Sequence, residues 1–181
     1  MNEPYLHTGV DHYQLAFPPN LVNIEATGKG KAVGWDVVYG ERGLQSIQIG
    51  AVGKQLIWGM YKMIAALSDT GINVVVDDVI WNIWILDAAV SMLHNYPVYF
   101  IALDLSLEAS IEREQQRGNR GPGNAQFFYP RVYDLNDVYD ARIDVENNNP
   151  DECAGLIKTA VNTTTPTAFQ TLYQKFNSMA P

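Results

Sequence analysis

Gly71-Ile72-Asn73-Val74-Val75-Val76-Asp77-Asp78 is the stretch on which the fold turns. From Ile72 to Val76 it is β-branched except at Asn73, and it stops on two carboxylates. A continuous apolar run without alternation predicts a strand buried on both faces, the habit of parallel sheets. Upstream, Leu56, Met60, Met63, Ile64 and Leu67 recur at helical spacing, and Gly71 supplies a stop. Downstream, residues 83–94 predict a helix with Leu86, Ala89, Val90 and Leu93 inward, ended by Pro97. Residues 98–103 predict a second buried strand, ending at Asp104.

The pattern continues outward in the same alternation. Ser106 is placed to cap a helix running to about Arg117, and residues 118–123 read as a glycine-rich loop. Residues 125–132 read as helix, 142–145 as a short strand, 151–161 as helix and 165–179 as a final amphipathic helix. Residues 5–10 read as a strand running into Asp11. Residues 18–50 show no clear period, with a hairpin expected around 37–40. Strand and helix in alternation predict an α/β fold, a parallel sheet with helices on both faces.

Length and composition are consistent with that. The chain has 181 residues, 47% of them hydrophobic, which suits one core and a single domain over 1–181. No apolar run approaches the ~18 residues of a membrane span. The lone Cys153 and the absence of an apolar leader predict a cytoplasmic protein. Twelve Lys+Arg against 20 Asp+Glu give a net charge of −8, which argues against a nucleic-acid partner. The oligomeric state is not legible.

Ligands of such sheets bind beyond the carboxyl ends of the strands. Acids end three of the expected strands there: Asp11, Asp77 with Asp78, and Asp104. A carboxylate at that place can orient a hydroxyl or help hold magnesium. The plain structural alternative is a strand terminator, the reading favoured for Asp104. Arg113, Arg117 and Arg120 fall within eight positions, the last two beside flexible glycines. Such a segment can close over a nucleotide and grip its phosphates. Arg113 fits better on a solvated helix face, paired with Glu112 and Glu114. Trp81 and Trp84 follow the paired acids and suit core or pocket wall. His7, His12 and His94 have no metal spacing.

The phosphate-loop pattern G-x-x-x-x-G-K-[ST] occurs nowhere in the chain. Gly28-Lys29-Gly30-Lys31 lacks a glycine at the required distance before it. Gly50-Ala51-Val52-Gly53-Lys54-Gln55 is too short and lacks the hydroxyl.

Taken together, Gly9-Val10-Asp11, the Gly71–Val79 stretch, Arg113-Glu114-x-x-Arg117-Gly118-Asn119-Arg120, Tyr139-Asp140-x-x-x-Asp144 and Pro150-x-Glu152-Cys153-Ala154 resemble the chloramphenicol phosphotransferase family. The resemblance runs from about Glu3 to Val161. It implies a P-loop kinase fold and ATP-dependent phosphorylation of a hydroxyl on a small molecule, with ATP and Mg²⁺ as cofactors. Chloramphenicol, and with it antibiotic resistance, is the founding example. It implies Asp11 as the base that takes the hydroxyl proton. It implies Arg117 and Arg120 on the nucleotide phosphates, and Asp77 and Asp78, with Trp81, near substrate or metal. Family members carry a strand, a glycine-rich G-K-S loop and a helix ahead of the G-V-D strand, whereas this chain starts at Met1, near where that helix would end. Two expectations follow: an upstream reading frame that encodes the loop, or a relative that has lost it and binds without catalysis. A nucleoside or nucleotide kinase is the alternative enzyme.

Overall fold

The computed structural model describes residues 4–16, 18, 21–23, 34–41, 43–118 and 121–179. In chain order the elements are β1 (Tyr5–Thr8), α1 (Val10–Leu15), β2 (Val22–Asn23), β3 (Trp35–Gly40), β4 (Gly43–Ile49), α2 (Ala51–Asp69) and β5 (Asn73–Val76). Then come α3 (Ile83–Leu93), β6 (Ile101–Asp104), α4 (Leu107–Arg117), α5 (Asn124–Tyr133), β7 (Ala141–Asp144), α6 (Pro150–Thr163) and α7 (Ala168–Met179).

The fold is mixed α/β, as the alternation predicts, but the strands do not form the one parallel sheet expected. Among the described residues β1 pairs with β5 and β6 with β7, each pair parallel, while β2, β3 and β4 form a third sheet. The hairpin expected around 37–40 is the antiparallel β3–β4 pair. Among the described residues β5 and β6 therefore each have a strand on one edge only. This corrects the expectation of strands buried on both faces: Val75 is 50% exposed and Leu103 54%. An apolar run signals the capacity to be covered; the covering itself needs neighbours on both edges and layers on both faces.

The core is carried mainly by helices. On α2 the buried residues are Gly53, Ile57, Met60, Tyr61 and Ile64, a stripe at i, i+3, i+4 and i+7 from Ile57. Met63, expected inward, lies off that stripe and is 43% exposed. α3 buries Ile85, Leu86, Ala88, Ala89, Val90 and Leu93, more than one face, because α2 packs on one side and α7 on the other. From α7, Ala168, Phe169 and Leu172 close the cluster.

Local chemistry fixes the ends. Asn82 accepts from the Trp84 amide at the start of α3, and Ser106 accepts from the Ala109 amide at the start of α4. Asn149 and Glu152 form a reciprocal capping box on α6, with Pro150 in its first turn. Asp140 accepts from the Phe100 amide and from the Thr167 and Ala168 amides, tying the approach to β6 to the start of α7. No helix of the described residues is long and apolar enough to cross a membrane.

Candidate active site

β1 and β5 run parallel, so their carboxyl ends lie side by side, with Thr8 opposite Val76. The Asp77 amide donates to the Thr8 carbonyl at 2.8 Å. Gly9 follows at closest approach: a Cβ there would fall 2.0 Å from the Asp77 carbonyl oxygen. The strand expected over 5–10 ends at Thr8, and α1 begins at Val10. Asp11 therefore stands in the first turn of a short helix rather than on a strand end, because β1 stops at Thr8 and α1 starts two residues later.

That turn brings three carboxylates into one electrostatic neighbourhood. Asp78 is largely buried and accepts a hydrogen bond from the Tyr61 hydroxyl at 2.7 Å. Burial pushes the Asp78 carboxyl up to about 6, and the charges of Asp11 and Asp77 add to the rise. The Tyr61 hydroxyl and the Val79 amide pull the other way by hydrogen bonding the carboxylate. The Tyr61 phenol is itself held well above its ordinary value, first by burial and then by Asp78. Asp77 is exposed, with His7 Nε2 3.9 Å from its Oδ2. The His7 and His12 rings meet edge to face at 5.4 Å. Tyr61 was not singled out from the sequence, where a tyrosine inside an apolar helical stripe reads as core; its partner lies 17 residues away.

Among the described residues no three His, Cys, Asp or Glu side chains gather so as to hold a metal ion.

An apolar groove of about 500 Å³ opens between α1 and α2, and none of the three acids is among its lining. Tyr13, Leu21, Val52, Leu56, Met60 and Met63 are among its lining. Tyr13 lies on the same short helix as Asp11. Trp81, expected as core or pocket wall, packs against the core and meets Phe127 and Phe128 of α5, each at 5.9 Å between ring centres. It links the segment after Asp78 to α5. Trp84 faces Lys54, whose Nζ lies 5.5 Å from the ring centre. The Gly50 to Lys54 stretch is no phosphate loop: Gly50 alone joins β4 to α2, and its amide is taken by the Gly34 carbonyl at 2.9 Å. The Gly28 to Lys31 stretch lies outside the described residues.

The basic residues separate by role. Arg113 donates to the Val145 carbonyl at 2.6 Å, so its partner is the backbone after β7 and not the expected Glu112 or Glu114. Arg117 is the exposed last residue of α4, followed by Gly118 in the left-handed region at φ 59°. Arg120 lies outside the described residues. Arg142 forks onto Asp104, with Nε and Nη2 at 2.8 and 2.7 Å from the two carboxylate oxygens. Asp104 is thus held as a cross-strand partner at the end of β6. Asp104→Asn is expected to cost no more than about 1 kcal/mol, because both side chains are part-exposed. Urea unfolding of the two proteins measures it; a loss well above that range would show that the fork is needed for the fold.

The family model described as "CPT: Chloramphenicol phosphotransferase-like protein" matches residues 1–162. Two Mycobacterium tuberculosis proteins, from strains CDC 1551 / Oshkosh and ATCC 25618 / H37Rv, are named provisionally as O-phosphotransferases. Each is 31% identical over 124 residues, covering 67% of this chain and 54% of the relative. The chain spans about half the length of these relatives. With most of its residues under the family model, the chain belongs to the chloramphenicol phosphotransferase-like family.

Proposed function

We propose that this chain carries the acceptor side of an ATP-dependent O-phosphotransferase acting on a hydroxyl of a small, largely apolar molecule, of which chloramphenicol is the first candidate. The observation that carries the reading is the convergence of Asp11, Asp77 and Asp78 at the carboxyl ends of the β1–β5 pair, with an apolar groove lined by α1 and α2, the two helices that carry Asp11 and the Asp78 partner Tyr61. In open α/β sheets this is where ligands bind.

In this reading the groove holds the acceptor's apolar body and leaves its hydroxyl at the first turn of α1. Asp11 accepts the hydroxyl proton as that oxygen bonds to the γ-phosphorus; the bond to the β,γ-bridging oxygen breaks and ADP leaves with the electron pair. Asp77 and Asp78 hold the field around Asp11 negative. Arg117 grips the phosphates, the role that the family resemblance also gives Arg120. The described residues offer no amide cradle for the β-phosphate. Among the described residues β5 and β6 are each paired on one edge, which leaves room beside them for a further strand.

The test is transfer of labelled γ-phosphate from ATP to a panel of hydroxylated acceptors, chloramphenicol first, by the longest form of the protein. Transfer to one acceptor, saturating at micromolar to millimolar concentration, is the expected result. Saturable acceptor binding with no transfer would replace this reading with a non-catalytic ligand-binding relative. Preferential phosphorylation of nucleosides would replace the acceptor class.

A further inference from the structure

The connection between α4 and α5 is gripped from two sides, and neither grip was assigned a role above. On one side stands Glu114 of α4, whose side chain is partly buried. One carboxylate oxygen accepts from the Gly123 amide at 2.6 Å and the Asn124 amide at 3.2 Å. The other accepts from the Ala125 amide at 2.5 Å. A residue of one helix thus caps the first turn of the next, taking three amides that have no partner within α5. The favourable sign of a carboxylate at a helix start adds to the hydrogen bonds.

On the other side stands the β3–β4 hairpin. The Leu44 amide donates to the Pro122 carbonyl at 2.8 Å. Gly43 sits in the left-handed region at φ 97°, and a Cβ there would fall 2.3 Å from the same carbonyl. A Cβ on Gly121 would fall 2.5 Å from the Tyr39 ring. The hairpin runs through Gly50 alone into α2, whose Val52, Leu56 and Met60 line the apolar groove. The hairpin and α2, joined through Gly50, therefore reach residues 121–123 through the hairpin and the apolar groove through α2.

We propose that Glu114 is a positioning residue: by fixing the start of α5 against α4 and the β3–β4 hairpin, it sets where Arg117 presents its guanidinium, and so sets nucleotide affinity. The inference rests on the proposed role of Arg117 and adds a second position through which that role is controlled. Glu114 touches no reactant in this arrangement. Its three amide bonds hold the far end of a connection only six residues long, so releasing them frees the C-terminal turn of α4. Both the charge and the reach of the side chain matter. Glu114→Gln keeps one acceptor oxygen, for Gly123 and Asn124, and turns an amide nitrogen toward the Ala125 N–H. It is expected to lie between the native protein and Glu114→Ala.

The experiment compares the native protein, Glu114→Gln, Glu114→Ala and Gly121→Ala, the last of which pushes the same segment from the Tyr39 side. Hydrogen exchange at the Gly123, Asn124 and Ala125 amides and the rate of trypsin cleavage after Arg117 report the clamp without any activity. ATP affinity by calorimetry reports its consequence. The expected result is faster exchange and cleavage in Glu114→Ala and Gly121→Ala, with ATP affinity weakened roughly tenfold, the scale of a displaced positioning contact. Glu114→Gln falls between, and the rest of the exchange map is unchanged. Native exchange and cleavage rates in Glu114→Ala would overturn the clamp. A freed connection with undiminished ATP affinity would overturn its role in nucleotide binding alone. All ATP affinities are measured on the longest form of the protein; if that form binds no ATP, the phosphotransferase reading falls and the role of Glu114 in nucleotide binding falls with it, whatever the exchange shows.

Discussion

Asp11→Asn is expected to lower phosphate transfer to a hydroxylated acceptor by ~10²-fold or more, the usual scale for loss of a general base. Nucleotide affinity should stay close to native. The substitution keeps the size and hydrogen-bonding reach of the side chain and removes its charge and basicity. A hydroxyl attacking a γ-phosphoryl group must lose its proton, and an amide cannot take it. Asp11 is exposed in the first turn of α1, a helix with no buried residue, so the exchange leaves the core untouched. Asp104→Asn is the control, since Asp104 is engaged by Arg142 at the end of the other parallel pair. Transfer rates for the three proteins, measured with the acceptor saturating, decide the matter. Near-native turnover in Asp11→Asn would remove Asp11 from the chemistry. Equal losses in both variants would point to a general electrostatic effect.

The second large effect is on stability and comes from Asp78. Its carboxyl sits at about 6 in the folded protein against an ordinary value of 3.8. A group whose folded pKa is raised binds its proton more tightly when folded. Its contribution to stability is fully present below pH 3.8, falls as pH rises to about 6, and is flat above. The full loss corresponds to at most about 3 kcal/mol. Asp78→Asn cannot ionise, and its side-chain oxygen can still accept from Tyr61. At pH 7 the variant is therefore expected to be more stable than the native protein by up to about 3 kcal/mol, and at pH 4 nearly equal to it. Denaturant unfolding of both proteins between pH 4 and 8 gives the difference curve. A constant offset across that range would mean that Asp78 ionises no differently on folding. The gain would come with a less negative field around Asp11, the familiar exchange of activity for stability at a site.

Much of this was legible in the chain because it is local. The inward set of α3 follows from spacing alone, and Leu86, Ala89, Val90 and Leu93 are all buried. Ser106 announces the start of α4, and Gly118 its end in the left-handed region. The acids after Val76 mark one end of a parallel strand. What the chain did not disclose depends on distant partners. Val74 to Val76 reads as a doubly covered strand, yet coverage is decided by elements elsewhere in sequence, and Val75 stands half in solvent. Arg113 looks like a partner for neighbouring acids, but folding brings the Val145 carbonyl to it from 32 residues away. Glu114 looks like a surface acid on a polar helix, and only the return of α5 reveals its three amides. Tyr61 is hidden by its own neighbours, since an apolar stripe gives no hint that one ring carries a hydroxyl toward a buried acid.

Gly9 constrains how this protein can drift. Its backbone is extended, at φ 175°, a conformation open to every residue, so no torsional preference demands glycine there. The demand is purely one of room, with the Asp77 carbonyl 2.0 Å from where a methyl would stand. Even alanine must pry the end of β1 from the end of β5, and the gap it opens lies between Asp11 and the Asp77–Asp78 pair. In a saturation library scored on acceptor turnover, position 9 should therefore tolerate no side chain at all. The same library scored on folded yield should accept small ones, since prying apart one end of a two-stranded pair leaves the helical core intact. The hydrogen atom of Gly9 works as a spacer gauge, and selection on the chemistry reads it more strictly than selection on the fold.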